Sequence, residues 1–231
     1  QPVVSPNARA SSTVRAAAAE LGAPVAVMQD LCGPKIRISK IESDFILIED
    51  GSRVEICRAA NHTGCESRLH VEGLDPGSIL EVGQRVLLAD GLIELKVVEI
   101  EKEVVVCKAL SGGKVLSRQG IAFPDSHIDL PAATGKDMQD LQWGIEHDID
   151  YVALSFVGCA EDVLRVRRVL DAKDSKAQII SKIERIQALD RIEEIIEASD
   201  GIMVARGDLG INVPLEYVPL IQRKLTRLAN C

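Results

Sequence analysis

Two textures of apolar and polar positions alternate along the chain. Residues 7–21, "NARASSTVRAAAAEL", place Val14, Ala17, Ala18 and Leu21 at helical spacing, and Gly22 follows where a helix would end. The apolar run "APVAVMQD" then predicts a strand closing on Asp30. From about Ser39 to Pro124 the helical period disappears. "FILIED", "SRVEIC" and "RLHVE" are short strand-like runs broken by Gly, Pro and Asp. "ADGLIELKVVEIEKEVVVCKAL" predicts two further strands around a reversal at Glu101–Lys102. Residues 39–124 therefore form an all-β module without a helix.

After "IDLPAATGKD" helices and strands alternate. The pattern predicts a helix at 136–147, a strand at 150–156 ("DYVALSF"), a helix at 160–172 and a strand at 178–184. A helix at 186–198, a strand at 201–206 and a helix at 214–229 complete the series. Glu161 and Asp162 open one helix and Arg165, Arg167 and Arg168 come later in it, the order its dipole favours. Repeated βα units whose strands are apolar on both faces imply a parallel sheet.

Composition narrows the function classes. Of the 231 residues, 46% are hydrophobic and 27% charged, the balance of a soluble globular protein with room for a real core. The 27 Lys and Arg against 35 Asp and Glu give a net charge of −8, with no basic run, which weighs against nucleic acid as a partner. A phosphorylated substrate stays open, because a local basic pocket or a metal reverses the field. Cys32, Cys57, Cys65, Cys107, Cys159 and Cys231 show no CxxC pairing and read as reduced thiols of a cytosol-like compartment. No apolar run approaches the roughly 18 residues of a membrane span. There is no secretory signal, and the sequence opens on Gln1 rather than Met.

The chemistry gathers at strand ends. Asp30, Ser155, the pair Lys182 and Glu184, and the pair Arg206 and Asp208 each stand near the carboxyl end of a predicted βα strand. That end carries the active sites of (β/α)8 barrels and the ligands of open parallel sheets. Lys182 and Glu184 are two residues apart in "QIISKIERIQ", so both point to one face. Two readings are open: an intrastrand ion pair, or a lysine steadying a transferring group beside a carboxylate that binds metal. Glu184 and Asp208 on neighbouring strands would make a hard oxygen site suited to Mg²⁺. The histidines do not compete: His62 and His70 lie in the β module, and His127 and His147 lie away from the strand ends. Ser155 has no histidine partner at a strand end and reads as a hydrogen-bonded structural serine. In "DLCGPKIRI", Gly33-Pro34 forces a bend, after which Lys35 and Arg37 share a face, either as solvated charge on an edge strand or as phosphate contacts.

"DLCGPKIR", "IISKIE" and "SDGIMVARGDLG", in this order and flanking a β insert, resemble the pyruvate kinase family. "DLPAATGKDMQDLQWGIEHDIDYVALSFV" and "VPLEYVPLIQRKL" extend the resemblance over essentially the whole chain. It implies a partial (β/α)8 TIM barrel formed by 1–38 and 125–231, with 39–124 as an inserted small β-barrel lid. It implies phosphoryl transfer from phosphoenolpyruvate to ADP, giving pyruvate and ATP, in a cytoplasmic glycolytic enzyme. Lys182 would be the catalytic transition-state stabiliser and a substrate contact, and Glu184 and Asp208 would hold Mg²⁺, with Mn²⁺ as an alternative. Backbone at Gly207 and Asp208 would meet the substrate carboxylate, Arg37 would bind nucleotide phosphate, and the parent would be a homo-oligomer, by resemblance a tetramer.

Departures from the family pattern carry expectations of their own. The amino-terminal Arg-x-Asn-x-Ser-His-Gly segment and the "ITATQ"-like strand are absent. The 231 residues are accordingly expected to be a fragment with about four of the eight barrel strands, its two sheet edges unpaired, inactive and aggregation-prone alone. Gln119 in "SRQGIAFPD" stands where a lysine is usual, with Arg118 as a substitute, and Gly158 stands where an arginine is common. Around the monovalent-cation region at Asp30, Leu31 and Lys35 replace the Thr and Glu of potassium-requiring members, so K⁺ is not expected to be required. The competing readings are a degenerate, metabolite-binding member and another Mg²⁺-dependent pyruvate or phosphoenolpyruvate barrel such as an aldolase or lyase; the β insert and Lys182 beside Glu184 weigh against the latter.

Overall fold

The structure, a computed structural model, describes residues 6–59, 68–128 and 130–230, and the side chains of these from Ala10 onward. His62, Cys65 and Cys231 lie outside the described residues. In chain order the elements are α1 (Pro6–Leu21), β1 (Met28–Leu31), β2 (Phe45–Ile48), β3 (Arg53–Arg58), β4 (Arg68–Val71), β5 (Arg85–Leu88), β6 (Ile93–Glu101), β7 (Val104–Ser111), β8 (Gly113–Leu116) and β9 (Ile121–Ala122). They continue with α2 (Gly135–Glu146), β10 (Tyr151–Leu154), α3 (Ala160–Ala172), β11 (Gln178–Ile183), α4 (Ile186–Asp190), α5 (Ile192–Ala198), β12 (Gly201–Val204), α6 (Arg206–Asn212) and α7 (Val218–Ala229). The chain divides into two compact units. One comprises Gln1–Pro34, Pro131–Ala205 and Gln222–Cys231, the other Lys35–Leu130 and Arg206–Ile221.

The first unit is built on a parallel sheet of order β1-β10-β11-β12. Val152, Leu154, Ile179 and Ile183 are fully buried in it, as strands covered by helices require. Val163, Val166 and Leu170 bury one stripe of α3, against which α5 packs. α2 starts on a capping box: Thr134 accepts from the Asp137 N–H, and Asp137 accepts from the Thr134 N–H at 2.8 Å. The other Asp137 oxygen accepts from the Gly33 N–H at 3.2 Å, tying the turn after β1 to the start of α2.

The second unit holds a six-stranded sheet of order β4-β3-β7-β6-β5-β9 and a β2–β8 ribbon. All pairings are antiparallel except β3 with β4. Its core is aliphatic, with Ile38, Ile41, Ile56, Leu69, Leu88, Ile93 and Leu95 among the fully buried residues. The reversal between β6 and β7 passes through Lys102 at φ 53°, as expected from the sequence. Two single 3₁₀ turns, Pro76–Ser78 and Ala89–Gly91, interrupt a module expected to have no helix. A proline at the first position of one and the left-handed Asp90 in the other explain such short turns.

Two helices and one strand depart from expectation. The single helix at 186–198 is two, because Arg191 leaves the helical region (φ −118°, ψ 21°), so that α5 lies on α3 while α4 follows directly from the strand end. The helix at 214–229 begins only at Val218, after a 3₁₀ turn Leu215–Tyr217. Pro219 lacks an N–H and its ring opposes the carbonyl four residues back, which forbids a continuous helix there. The strand expected to run to residue 206 stops at Val204, and Arg206, Gly207 and Asp208 form the first turn of α6.

Candidate functional site

The strand β11 alternates strictly. Ile179, Ser181 and Ile183 are buried on one face, where Ser181 and Ser199 share a hydroxyl hydrogen bond at 2.6 Å, and Ile180 and Lys182 occupy the other. Glu184 continues the second face one residue past the strand, as the two-residue period dictates. Its neighbours come from the adjacent strands: register pairs Asp30 with Ala153 and Leu154 with Ser181, so Asp30, Ser155 and Lys182 rise on one side of the sheet.

There the Lys182 ammonium meets acceptors from three consecutive strands of the sheet. It donates to Ser155 Oγ at 2.9 Å and to Asp30 Oδ1 and Oδ2 at 3.1 and 3.3 Å, and lies 3.2 Å from Glu184 Oε1. The two carboxylates differ: the Glu184 side chain is 1% exposed and that of Asp30 is 64% exposed. Burial works against the charge on Lys182, but Glu184 and then Asp30 outweigh it, and the ammonium is held above its ordinary pKa.

A strained turn completes the Glu184 site. Phe156 sits at φ 57°, rare for a bulky residue, and its N–H donates to Glu184 Oε2 at 2.8 Å. The Arg185 guanidinium lies over the Phe156 ring, 5.4 Å from its centroid. Gly33 makes room beneath: at φ 67°, a Cβ there would fall 2.9 Å from the Phe156 ring and 3.3 Å from the Ser155 carbonyl. The strand expected to reach residue 156 ends at Leu154 because of this turn.

Glu184 accepts from the Phe156 N–H on Oε2 and faces the Lys182 ammonium with Oε1. With Asp30 it places two carboxylates around one ammonium. Among the described residues no group of three or more His, Cys, Asp or Glu side chains gathers as a ready cage. Mg²⁺ does not need one, since it keeps several waters and binds through one or two carboxylates and substrate phosphates. The donor chemistry fits that ion.

The remaining expected site residues belong to the second unit. Asp208 and Gly207 stand in the first turn of α6, whose Leu209 is fully buried and which lies against the 3₁₀ turn Ala89–Gly91. Arg37 bridges to Gly120 and donates to the Arg118 carbonyl at 3.0 Å. The Lys35 side chain passes over Gly120. Gln119 turns its side-chain oxygen onto the Leu116 N–H at 2.8 Å, closing its own turn. Ser155 and Phe156 are the members of the cluster that sequence reasoning undervalued. The hydroxyl at a strand end was a visible signal, whereas the left-handed Phe156 had none.

The family description "Pyruvate kinase, barrel domain" matches residues 5–231. The chain belongs to the pyruvate kinase family. Its parallel sheet is accordingly part of a (β/α)8 barrel. It is 37% identical to a protein named pyruvate kinase from Thermococcus litoralis over 224 residues, covering 97% of this chain and 47% of that protein. It is 39% identical to a pyruvate kinase from Geobacillus stearothermophilus over 227 residues, covering 97% of this chain and 38% of the relative. A Staphylococcus saprophyticus pyruvate kinase is also 39% identical, over 221 residues, 94% of this chain and 38% of its own length. The chain thus spans less than half the length of each of these relatives. No helix among its described residues is long and apolar enough to cross a membrane.

Proposed function

We propose that the protein carrying this chain is a pyruvate kinase, moving the phosphoryl group of phosphoenolpyruvate to ADP to give pyruvate and ATP. The observation that carries the reading is Lys182, an ammonium held by acceptors of three consecutive strands at their carboxyl ends. Phosphoryl transfer asks a protein for positioning and for compensation of charge spread over the phosphoryl oxygens. A fixed, partly desolvated ammonium supplies both. Glu184 and Asp208 are the proposed ligands of Mg²⁺, with Mn²⁺ as a substitute; when bound, such an ion neutralises phosphate charge. Backbone at Gly207 and Asp208 receives the substrate carboxylate, and Arg37 contacts nucleotide phosphate.

The same reading makes 39–124 an inserted lid domain and the parent a cytoplasmic, glycolytic homo-oligomer, by family likeness a tetramer. Its partners are small phosphorylated molecules rather than nucleic acid or membrane. At the monovalent-cation region beside Asp30, the Lys35 ammonium takes the place of K⁺. A second reading, a member that binds phosphoenolpyruvate without turnover, draws support from Gln119, whose side chain is spent on its own turn where a lysine is usual.

The test is pyruvate formation by the full-length protein, followed with and without ADP and Mg²⁺, beside the K182M variant. Turnover is expected only with both additions and only with Lys182. Pyruvate release without ADP, or undiminished turnover by K182M, overturns the reading; saturable phosphoenolpyruvate binding without turnover selects the second one.

A further inference from the structure

We infer that Ser155 is the positioning residue of Lys182, the neutral arm that keeps the ammonium aimed while its exposed partner is exchanged for substrate. The inference rests on the phosphoryl-transfer reading above. An ammonium has three N–H donors, and here Ser155, Asp30 and Glu184 take them all. To reach a phosphoryl oxygen, Lys182 must therefore release a partner.

The geometry says which one. Asp30 is mostly exposed and makes the contacts at 3.1 and 3.3 Å, so water replaces it at little cost and an arriving anion repels it. Glu184 is buried and also held by the Phe156 N–H. Ser155 is 2% exposed, makes the shortest contact at 2.9 Å, and follows directly on Leu154, whose register partner Ser181 precedes Lys182. Its hydroxyl proton is directed at Asp30 Oδ1, 3.4 Å away, which leaves a lone pair facing the lysine.

Neutrality is what suits Ser155 to this place. A third carboxylate would consume the positive charge that phosphoryl oxygens need, whereas a hydroxyl orients the ammonium and leaves its charge available. With Ser155 gone and Asp30 displaced, Glu184 alone would hold Lys182, and the ammonium would swing toward it and away from the substrate.

The experiment is steady-state kinetics of the full-length protein with S155A, S155C and S155T, with K182M as control. Loss of a hydrogen-bond partner to a charged group predicts a kcat about tenfold to a hundredfold lower in S155A, with KM for ADP unchanged. S155C keeps the volume but accepts weakly, and is expected to fall with alanine; S155T keeps the hydroxyl and restores most of kcat. Wild-type kcat in S155A or in S155C overturns the assignment, the latter by showing that packing alone matters. S155C also decides the case if the extra methyl of S155T prevents folding. Turnover that survives in K182M overturns the underlying reading instead, so the two failures are distinguishable.

Discussion

The backbone N–H of Phe156 donates to Glu184 Oε2 at 2.8 Å from a left-handed turn, fixing a buried carboxylate beside the Lys182 ammonium. The turn after one strand thus orients the acid that follows the next. Strain of this kind persists only where the surroundings over-determine it, here by the close approach of Gly33 to the Phe156 ring and the Arg185 guanidinium over it.

Glu184→Gln should abolish ADP-dependent pyruvate formation and destabilise the fold by about 1–3 kcal/mol, because Lys182 loses its buried counter-charge and keeps only the exposed Asp30. Chemical denaturation and a coupled assay on the same preparation measure both. An active variant of unchanged stability would mean that neither Lys182 nor a metal depends on this acid.

Gly33→Ala should cost about 1–3 kcal/mol, from a left-handed backbone and a Cβ driven into the Phe156 ring. It should also lower kcat, because Phe156 and Ser155 both move. Urea midpoints paired with kinetics check this; a stable variant with unaltered kcat contradicts the role given to this turn.

Cys107 sets an alkaline limit on stability. Burial pushes its thiol up to about 12 from 9.0. Above 9.0 the unfolded chain loses this proton while the folded chain keeps it, so its contribution to stability falls as pH rises from 9.0 toward 12. Unfolding followed across that range should show a slope that Cys107→Ala reduces. In native protein, mass-spectrometric mapping after iodoacetamide treatment should find exposed Cys32 labelled and buried Cys107 unlabelled.

At the acid end the Arg85 hydrogen bond holds the Asp125 carboxyl below its usual range, with burial opposing. This contribution is present above the ordinary carboxylate pKa and is lost as pH falls through the depressed folded value. Asp125→Asn should flatten the acid limb of the stability profile. A limb of unaltered steepness would assign acid unfolding to other groups.

Replacing K⁺ by tetramethylammonium should leave turnover of the full-length protein essentially unchanged if the Lys35 ammonium serves in its place. A large fall in kcat restored by K⁺, in wild type as in Lys35→Glu, would remove that role.

Much of the site is legible in the sequence. Lys182 and Glu184 shared a face by the strand period alone, and the two readings of them are not rivals: they do form an ion pair, and that pair is where the ammonium is held. Ser155 was visible as a hydroxyl at a strand end, but its value depended on the register of β10 with β11, which brings it within 2.9 Å of the Lys182 ammonium. The breaks at Arg191 and the turn at Phe156 left no local mark, since arginine and phenylalanine are unremarkable in a helix or strand. Pro219 was a mark, and it explains why α7 starts where it does.

What the sequence determined by itself was periodic and local: a two-residue alternation with polar strand ends, an all-β stretch between βα units, and motifs long enough to point to a family. What only the tertiary structure decided was partnership. Asp30 and Ser155 lie 152 and 27 residues from Lys182 along the chain, and no local propensity encodes a hydrogen bond over such separations. The reason is physical: register between parallel strands is set by how helices and sheet bury their apolar faces together, and the ammonium finds its acceptors only once that packing has aligned three strands.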